Sequence, residues 1–585
     1  MSAEAKGYVD FHGWSRDAKD LVVGGWINFG WDEQATDCLA QIEFADRAIS
    51  TMATMCLYSR LDVIKLGRGF ILLLRNMENN FEQIKALTVR SNGRAYRLAA
   101  SHTMQSLSQA DLAVLGRQVL MHASDSMGRT QILQSIAGSS FTGVSTVGSL
   151  DLPVSIEIDA VHLCHPAGLL LAGWFADPFE QIASIRVQSG SESSLLDLEG
   201  AIRTRRTDIA EMLREKQYPV EERCGFLLLA AGISRRDVTT HLELRTRSGA
   251  VVYKPVPPPA AGGITGMKQI LGCFALGPGD LLHGYDAVVG PAIQALNNLR
   301  LAKAVEEKIL VFGMQPEQPR CSIIVPLYGR VDYLEYQLAF FSRSLSRSHE
   351  LIYVLDDPAL EGEAEALGFS CFARFGIPFR LIVLRRNVGY AAASNIGLRH
   401  AGGSLVCFLN SDVFPARPEW LEYMIETAER HTRIGVVGAR LLFEDGTIQH
   451  DGCQCETQPE LGGWRFPLHV GKGRLPTADT GIKIVEAVTG ACLVMRRQLA
   501  IELGGFSEDY VIGDFEDADL CFKVRERDLH CVVDPRAELY HLERQSQGSA
   551  TLPWRTNLTL FNAWHFNRKW FPVADETSTA QHAGS

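Results

Sequence analysis

Arg320-Cys-Ser-Ile-Ile-Val-Pro-Leu-Tyr-Gly329 is an almost unbroken apolar run that stops at a Pro, and Glu350-Leu-Ile-Tyr-Val-Leu355 runs straight into Asp356-Asp357. Both read as buried strands, and the interval from about Asp332 to Ser344 reads as the helix between them, a β-α-β unit. Phe379-Arg-Leu-Ile-Val-Leu384 and Ser404-Leu-Val-Cys-Phe-Leu409 continue the alternation, the last ending at Asn410-Ser411-Asp412. Near-continuous apolar strands alternating with helices imply a mainly parallel α/β sheet covered on both faces. Ligands of such sheets bind beyond the carboxyl ends of the strands. Asp356, Asn387 and Asp412 all stand there, within reach of one ligand.

Two more polar stations follow, Asp514-Phe-Glu-Asp-Ala-Asp519 and Tyr540-His-Leu-Glu-Arg-Gln-Ser546. Carboxylates that fall where strands and helices end can converge on a divalent cation held against a diphosphate. Scattered surface charge would not be punctuated in this way.

The bulk composition narrows the function classes. The chain has 585 residues, 46% hydrophobic and 21% charged, with a formal net charge of -11. That is an ordinary globular composition with room for roughly three to four domains. The acidic balance provides no general field for nucleic acid, so no nucleic-acid partner is expected. No apolar run approaches the roughly 20 residues that cross a bilayer, and Met1 to Lys6 lacks the apolar core of a secretory signal. The expectation is a cytoplasmic protein, peripheral at most at the inner face of the cytoplasmic membrane. The 13 Cys are scattered, several singly within apolar stretches, which suits reduced buried thiols. Cys453-Gln-Cys455 has no second pair at metal-site spacing and is a weak zinc signal.

The first half carries a degenerate repeat. Asp20-Leu-Val-Val-Gly-Gly-Trp26 resembles Gly168-Leu-Leu-Leu-Ala-Gly-Trp174, and Gly69-Phe-Ile-Leu-Leu-Leu74 resembles Gly225-Phe-Leu-Leu-Leu-Ala230. Leu87 to Tyr96 resembles Leu242 to Val251 in turn. Short strands and hairpin tips at Asn92-Gly93 and Ser248-Gly249 suggest two β-sandwiches. The expected organisation is a first sandwich at 1–104, a helical connector at 105–150 and a second sandwich at 151–256. A linker and largely helical connector at 257–318, the α/β domain at 319–575 and a disordered tail at 576–585 complete it. Trp26, Trp31 and Trp174 are candidate sugar-stacking platforms, with core packing as the plainer role.

From about Cys321 to Gly548 the motifs resemble family 2 glycosyltransferases with a GT-A fold, of the bacterial surface-polysaccharide (O-antigen) type. Val325-Pro-Leu-Tyr328, Asn387-x-Gly389 with Asn395, Asn-Ser-Asp412, Thr489 to Arg496, Gly504-Gly-Phe506 and Glu516-Asp-x-Asp-Leu-Cys521 occur in the family's order. The resemblance implies an inverting hexosyl or deoxyhexosyl transfer from a nucleotide-sugar donor to a glycan or lipid-linked acceptor, assisted by Mn²⁺ or Mg²⁺.

Carried residue by residue, it assigns the nucleobase to Pro326, Tyr328, Asp356 and Asp357, and the rest of the nucleotide to Asn387, Gly389, Asn395 and Asn410. Asp412 and His541 become the metal ligands, the imidazole favouring Mn²⁺ somewhat, and Arg544 and Ser546 approach phosphate. Asp517 becomes the base that takes the acceptor proton, with Asp519 second in line and Glu516 beside them. On the acceptor side stand Thr489, Gly490 and Trp464, the last in a Gly- and Pro-rich stretch that reads as a mobile lid or a surface loop. The aromatic run Trp554 to Phe571 reads as a packed closing helix, with peripheral membrane contact as the alternative. Pro358, where the family usually has a small turn residue, and Asp528, where it usually has Gly, depart from the pattern. Oligomeric state is not legible. A non-catalytic glycan-binding scaffold and a sugar-nucleotide nucleotidyltransferase are the rival classes. The second would want a Gly-rich, basic phosphate loop after the first strand, and Leu327-Tyr-Gly-Arg330 is a poor one.

Overall fold

The computed structural model describes residues 7–572 apart from 16–18, 29–36, 45–46, 64–66, 76, 78–83, 92–93, 121–122, 124–126, 138–140, 142, 151, 191, 220, 237–239, 248–249, 479 and 543–551. Trp31, both hairpin tips, Arg544, Ser546 and the tail lie outside the described residues. The chain divides into two compact units, one of 1–152, 180–185 and 241–255, the other of 153–179, 186–240 and 256–585.

In the first unit the seven strands from Gly7–Trp14 to Arg94–Leu107 close into a barrel, not the expected sandwich. The reason is the first strand, which pairs antiparallel with Leu21–Asn28 on one edge and parallel with Arg94–Leu107 on the other. Pairing both edges removes the free strand that a sandwich would leave. Val9, Val23, Phe70, Leu72 and Leu98 belong to one buried cluster, while Phe11, Val22 and Ile71 cluster with Leu112 and Ile132 of two following helices. Those helices begin at Gln109, because the strand expected to end at 104 runs on to Leu107.

The segment 151–256 instead divides its strands between two four-stranded sheets. The repeat survives at the level of register. Trp26 lies opposite Gly69 in one antiparallel pair and Trp174 opposite Gly225 in the other. Both Trp are half-buried, and Trp174 has the Arg206 guanidinium over its ring.

In the second unit eleven strands form the main sheet: β1 (Glu307–Phe312), β2 (Cys321–Leu327), β3 (His349–Leu355), β4 (Phe379–Leu384), β5 (Leu405–Leu409), β6 (Val413–Pro415), β7 (Ile434–Leu442), β8 (Ile448–His450), β9 (Lys483–Val485), β10 (Cys492–Arg496) and β11 (His530–His541). Their order is β1-β4-β3-β2-β5-β10-β7-β11-β6, with β8 added to β7 and β9 to β11. Only β4-β3-β2-β5 and the pair β7-β11 are parallel. The sheet is therefore mixed, not mainly parallel, because β1, β6 and β8–β10 return antiparallel.

Every side chain of β3 is buried, as a strand covered on both faces requires. The helices used below are α1 (Gly290–Leu301), α2 (Asp332–Ser344), α3 (Glu361–Phe375), α4 (Tyr390–His400), α5 (Trp420–Arg430), α6 (Glu516–Arg525) and α7 (Pro553–Trp570). β1 falls inside the expected helical connector, so the domain begins before residue 319. Among the described residues no helix is long and apolar enough to cross a membrane.

α7 shares a buried cluster with Ile324 of β2 and with Ile352 and Val354 of β3. Phe561, Trp564 and Phe566 are at most 1% exposed, and Trp564 donates to Asp286 at 2.8 Å. The middle of its aromatic run is core, while Trp554, Trp570 and Phe571 are half-buried.

Candidate active site

The station after β3 is committed inward. Asp356 is buried, and its Oδ1 accepts the Val388 N–H at 2.6 Å while its Oδ2 accepts the Gly389 N–H at 2.8 Å and the Asn387 amide at 3.1 Å. Gly389 sits at φ +86°, the left-handed turn that lets α4 start against this carboxylate. Burial pushes the Asp356 carboxyl up to about 7, against the pull of the two backbone bonds and of Arg300. Asp356 thus ties down the 387–389 segment, and the half-buried Asp357, which only caps Ala359, is the acid left facing outward. Asn387 spends its amide on Asp356 as well. Tyr328, just past the end of β2, is 53% exposed.

Asn395 does not join this set. Its amide donates to the Phe506 carbonyl at 2.9 Å and Glu508 at 3.0 Å, and its oxygen accepts the Phe506 N–H at 3.0 Å. It holds the 504–508 turn, so its expected nucleotide contact is corrected to a structural one.

The metal pair does come together. β6 and β11 pair antiparallel with Val413 opposite His541, which brings His541 Nε2 to 3.3 Å from Asp412 Oδ1. The other ring nitrogen, Nδ1, lies 2.6 Å from Gln449 Oε1. Gln449 was not anticipated; a Gln in a three-residue strand carries no sequence signal. Asn410 has a buried side-chain oxygen with no hydrogen-bond partner among the described residues, and its backbone oxygen accepts from Gln337 of α2.

Glu516, Asp517 and Asp519 open α6 as expected, but the three carboxylates have separate environments. Asp517 is half-buried, and the Gly490 N–H donates to its Oδ2 at 2.8 Å. A Cβ on Gly490 would stand 3.1 Å from the Tyr390 hydroxyl and 3.3 Å from the Asp517 Cβ, so this approach needs a glycine or a local shift. Asp519 is fully buried and spent on Lys569 at 2.6 Å, Trp570 Nε1 at 2.9 Å, Lys523 at 3.1 Å and the Tyr510 hydroxyl at 3.2 Å. It is no second base, because α7 closes over it. Glu516 is buried too, and burial with Asp517 and Asp514 nearby holds its carboxyl well above the usual range.

Trp464 is 6% exposed and packs edge-on to Tyr285 at 5.7 Å. It is core, and sugar stacking on it is withdrawn. The start of the stretch expected as a mobile lid or a surface loop is instead a strand, Trp464–His469, paired with Cys453–Gln458 in a two-stranded ribbon. Thr489 donates its N–H to His450 Nε2 at 3.3 Å. His450, Cys453 and His469 bring candidate ligand atoms within 4.8 Å of one another. The Thr489 bond makes Nε2 the acceptor, so the ring proton of His450 sits on Nδ1, the atom 3.8 Å from Cys453 Sγ. A cation there would have to displace that proton. None of the 13 cysteines, all among the described residues, is in a disulfide.

A mixed α/β sheet with acidic stations beyond its strand ends defines the class: a GT-A-like domain. Residues 322–501 match the family model described as Glycosyl transferase family 2, which makes this part of the chain a family 2 glycosyltransferase domain. Asp517 and His541 lie beyond the matched stretch. An uncharacterised protein of Sinorhizobium fredii is 33% identical over 265 residues, 43% of this chain and 28% of that protein. The O-antigen biosynthesis protein RfbC of Myxococcus xanthus is 28% identical across 40% of this chain and 18% of its own length. An N-acetylglucosaminyl-diphospho-decaprenol L-rhamnosyltransferase of Mycobacterium tuberculosis is 26% identical across 39% of this chain and 77% of its own length.

This chain therefore spans less than a third of the length of the first two. Solved structures that resemble it include GalNAc-T7 with UDP, GalNAc and Mn²⁺, at 17% identity over 41% of this chain and 47% of that one, TM-score 0.34. Another is the mannosyltransferase PcManGT of Pyrobaculum calidifontis with GDP-Man and Mn²⁺, at 15% identity over 52% and 82%, TM-score 0.29. Scores this low carry no weight for ligand or reaction.

Proposed function

We propose that the chain moves a hexosyl or deoxyhexosyl group from a nucleotide-sugar donor to a glycan or lipid-linked acceptor, with inversion, in the assembly of a bacterial surface polysaccharide. The observation that carries it is the approach to 3.3 Å of Asp412, inside the stretch matched to family 2, and His541, beyond it, two strand-end groups able to share one cation. The relatives named for O-antigen biosynthesis and for rhamnosyl transfer to a diphospho-decaprenol support the acceptor class. Such an acceptor would be met at the cytosolic face of the cytoplasmic membrane.

In this reading Asp357, in place of Asp356, joins Pro326 and Tyr328 at the nucleobase, while Asp356 and Asn387 hold the 387–389 turn against the nucleotide. A divalent cation, Mn²⁺ or Mg²⁺, supplies charge neutralisation of the departing diphosphate. Asp517, aimed by the Gly490 N–H, takes the proton of the acceptor hydroxyl as that oxygen attacks the anomeric carbon. The bond to the diphosphate breaks on the opposite face, so the anomeric centre inverts.

Replacing Asp517→Asn should lower kcat by about 10²- to 10⁴-fold while nucleoside diphosphate with Mn²⁺ still raises the unfolding midpoint. Unchanged turnover removes the base assignment. Absence of any metal-dependent nucleotide stabilisation removes the donor site.

A further inference from the structure

We infer that Gln449 sets the tautomer of His541 and thereby decides whether the ring can ligate a cation, an inference that rests on the cation-site reading above. Gln449 is 2% exposed at the centre of β8. β7 holds that strand through the pairs Leu441 with His450 and Leu442 with Ile448, and His469 Nδ1 lies 3.0 Å from the Gln449 backbone oxygen.

The Gln449 amide meets His541 twice. Its Nε2 donates to the His541 backbone oxygen at 3.2 Å, and its Oε1 faces His541 Nδ1 at 2.6 Å. A backbone oxygen only accepts, so the amide nitrogen must point at it and the amide oxygen at the ring. An amide oxygen also only accepts, so Nδ1 carries the hydrogen. Nε2 of the neutral ring is then bare, and it is the atom 3.3 Å from Asp412 Oδ1. Two lone pairs at that distance repel unless a positive charge lies between them. A cation bound by both relieves this, as does a second proton on the ring.

Ligating histidines commonly fix their remaining N–H on a neighbouring acceptor in this way. Without the Gln449 oxygen the hydrogen is free to sit on Nε2, and that tautomer cannot ligate. Gln449 touches neither donor nor acceptor in this scheme. It is a positioning residue.

The test uses this chain and four variants, with Mn²⁺ binding followed by electron paramagnetic resonance of the free ion. Gln449→Leu removes the acceptor and should weaken Mn²⁺ binding by about 10- to 100-fold, the usual cost of losing such a partner. Gln449→Glu keeps an acceptor for Nδ1–H and should recover most of the affinity.

Nitrogen NMR of ¹⁵N-histidine-labelled, metal-free chain, with the His541 signals assigned by their absence in His541→Gln, should show a protonated Nδ1 and a bare Nε2. Gln449→Leu should shift that pattern towards the other tautomer. A protonated Nε2 with a bare Nδ1 in the wild type, or wild-type Mn²⁺ affinity in Gln449→Leu, overturns the proposal. Asp412→Asn separates the two readings. If that variant binds Mn²⁺ as tightly as wild type, the cation site fails, and the tautomer spectrum alone then judges Gln449.

Discussion

The carboxylate of Asp356 meets the N–H groups of Val388 and Gly389 and the amide of Asn387 before any ligand can reach it. Its carboxyl is pushed up to about 7 by burial, and Asp357 adds to that while Arg300 opposes it. In the unfolded chain it returns to an ordinary value near 4. The folded chain therefore holds this proton more tightly than the unfolded one. The stability linked to it is fully present below about pH 4 and is lost as the pH rises to about 7, with a slope of at most about 1.4 kcal/mol per pH unit. Denaturant unfolding across about pH 4 to 8 should show a component of that slope in the wild type that Asp356→Asn lacks. Parallel pH profiles for the two proteins would refute it. The same residue marks how far the sequence could be read. The position of each acid at an element end was legible, but not which acids stay available, because their partners lie far along the chain. Asp519 is consumed by Lys569 and Trp570, some 50 residues on.

At the scale of elements, the segment leading into α6 is the strained one. Ile512, Asp514 and Phe515 all sit at positive φ, +67°, +78° and +74°. None is glycine, and such positions cost on the order of 1–3 kcal/mol each. α7 supplies the restraint. Asn562, fully buried, accepts the Val511 N–H at 3.1 Å and donates to the carbonyls of Gly513 at 2.6 Å and Val511 at 3.3 Å. Thr559 reaches Asp514 at 3.0 Å, and the Tyr390 N–H donates to the Ile512 carbonyl at 3.3 Å. The turn that aims Asp517 is thus clamped between the starts of α4 and α6 and the side of α7. Asn562→Ala should destabilise the protein by about 1–3 kcal/mol in chemical denaturation, and kcat should fall in the variant that remains folded. A folded Asn562→Ala enzyme with wild-type kcat would show that the clamp is dispensable. Neither the strain nor its restraint was legible in the sequence, since Asn562 stands in a helix like any other polar residue.

For the molecule as a whole, the glycosyltransferase fold is not confined to the stretch that resembles the family. β1 pairs with β4 along its length, from Glu307 opposite Leu384 to Phe312 opposite Phe379. From α1, Arg300 donates to the Val388 carbonyl and is itself braced by Asn297, whose amide reaches the Glu508 carbonyl at 2.9 Å. A chain started at residue 319 loses the edge strand and the support beneath the 387–389 turn. It should unfold at a lower midpoint than the full chain and lose nucleotide-dependent stabilisation in a thermal-shift assay. An equal midpoint and an equal nucleotide response would refute this. What the sequence determined by itself was the order of strands, the helix starts and the places where polar groups fall at strand ends, because apolar runs and their punctuation act between near neighbours. The repeat was legible in the same way, whereas the Trp–Gly register inside it joins strands distant in the chain. Only the tertiary structure decided that the first repeat closes into a barrel, that Trp464 is core, and that Asp517 is left available while Asp356 and Asp519 are spent. Those outcomes depend on hydrogen-bond partners and strand edges that meet only after the chain has folded, and no local pattern encodes which distant donor will arrive.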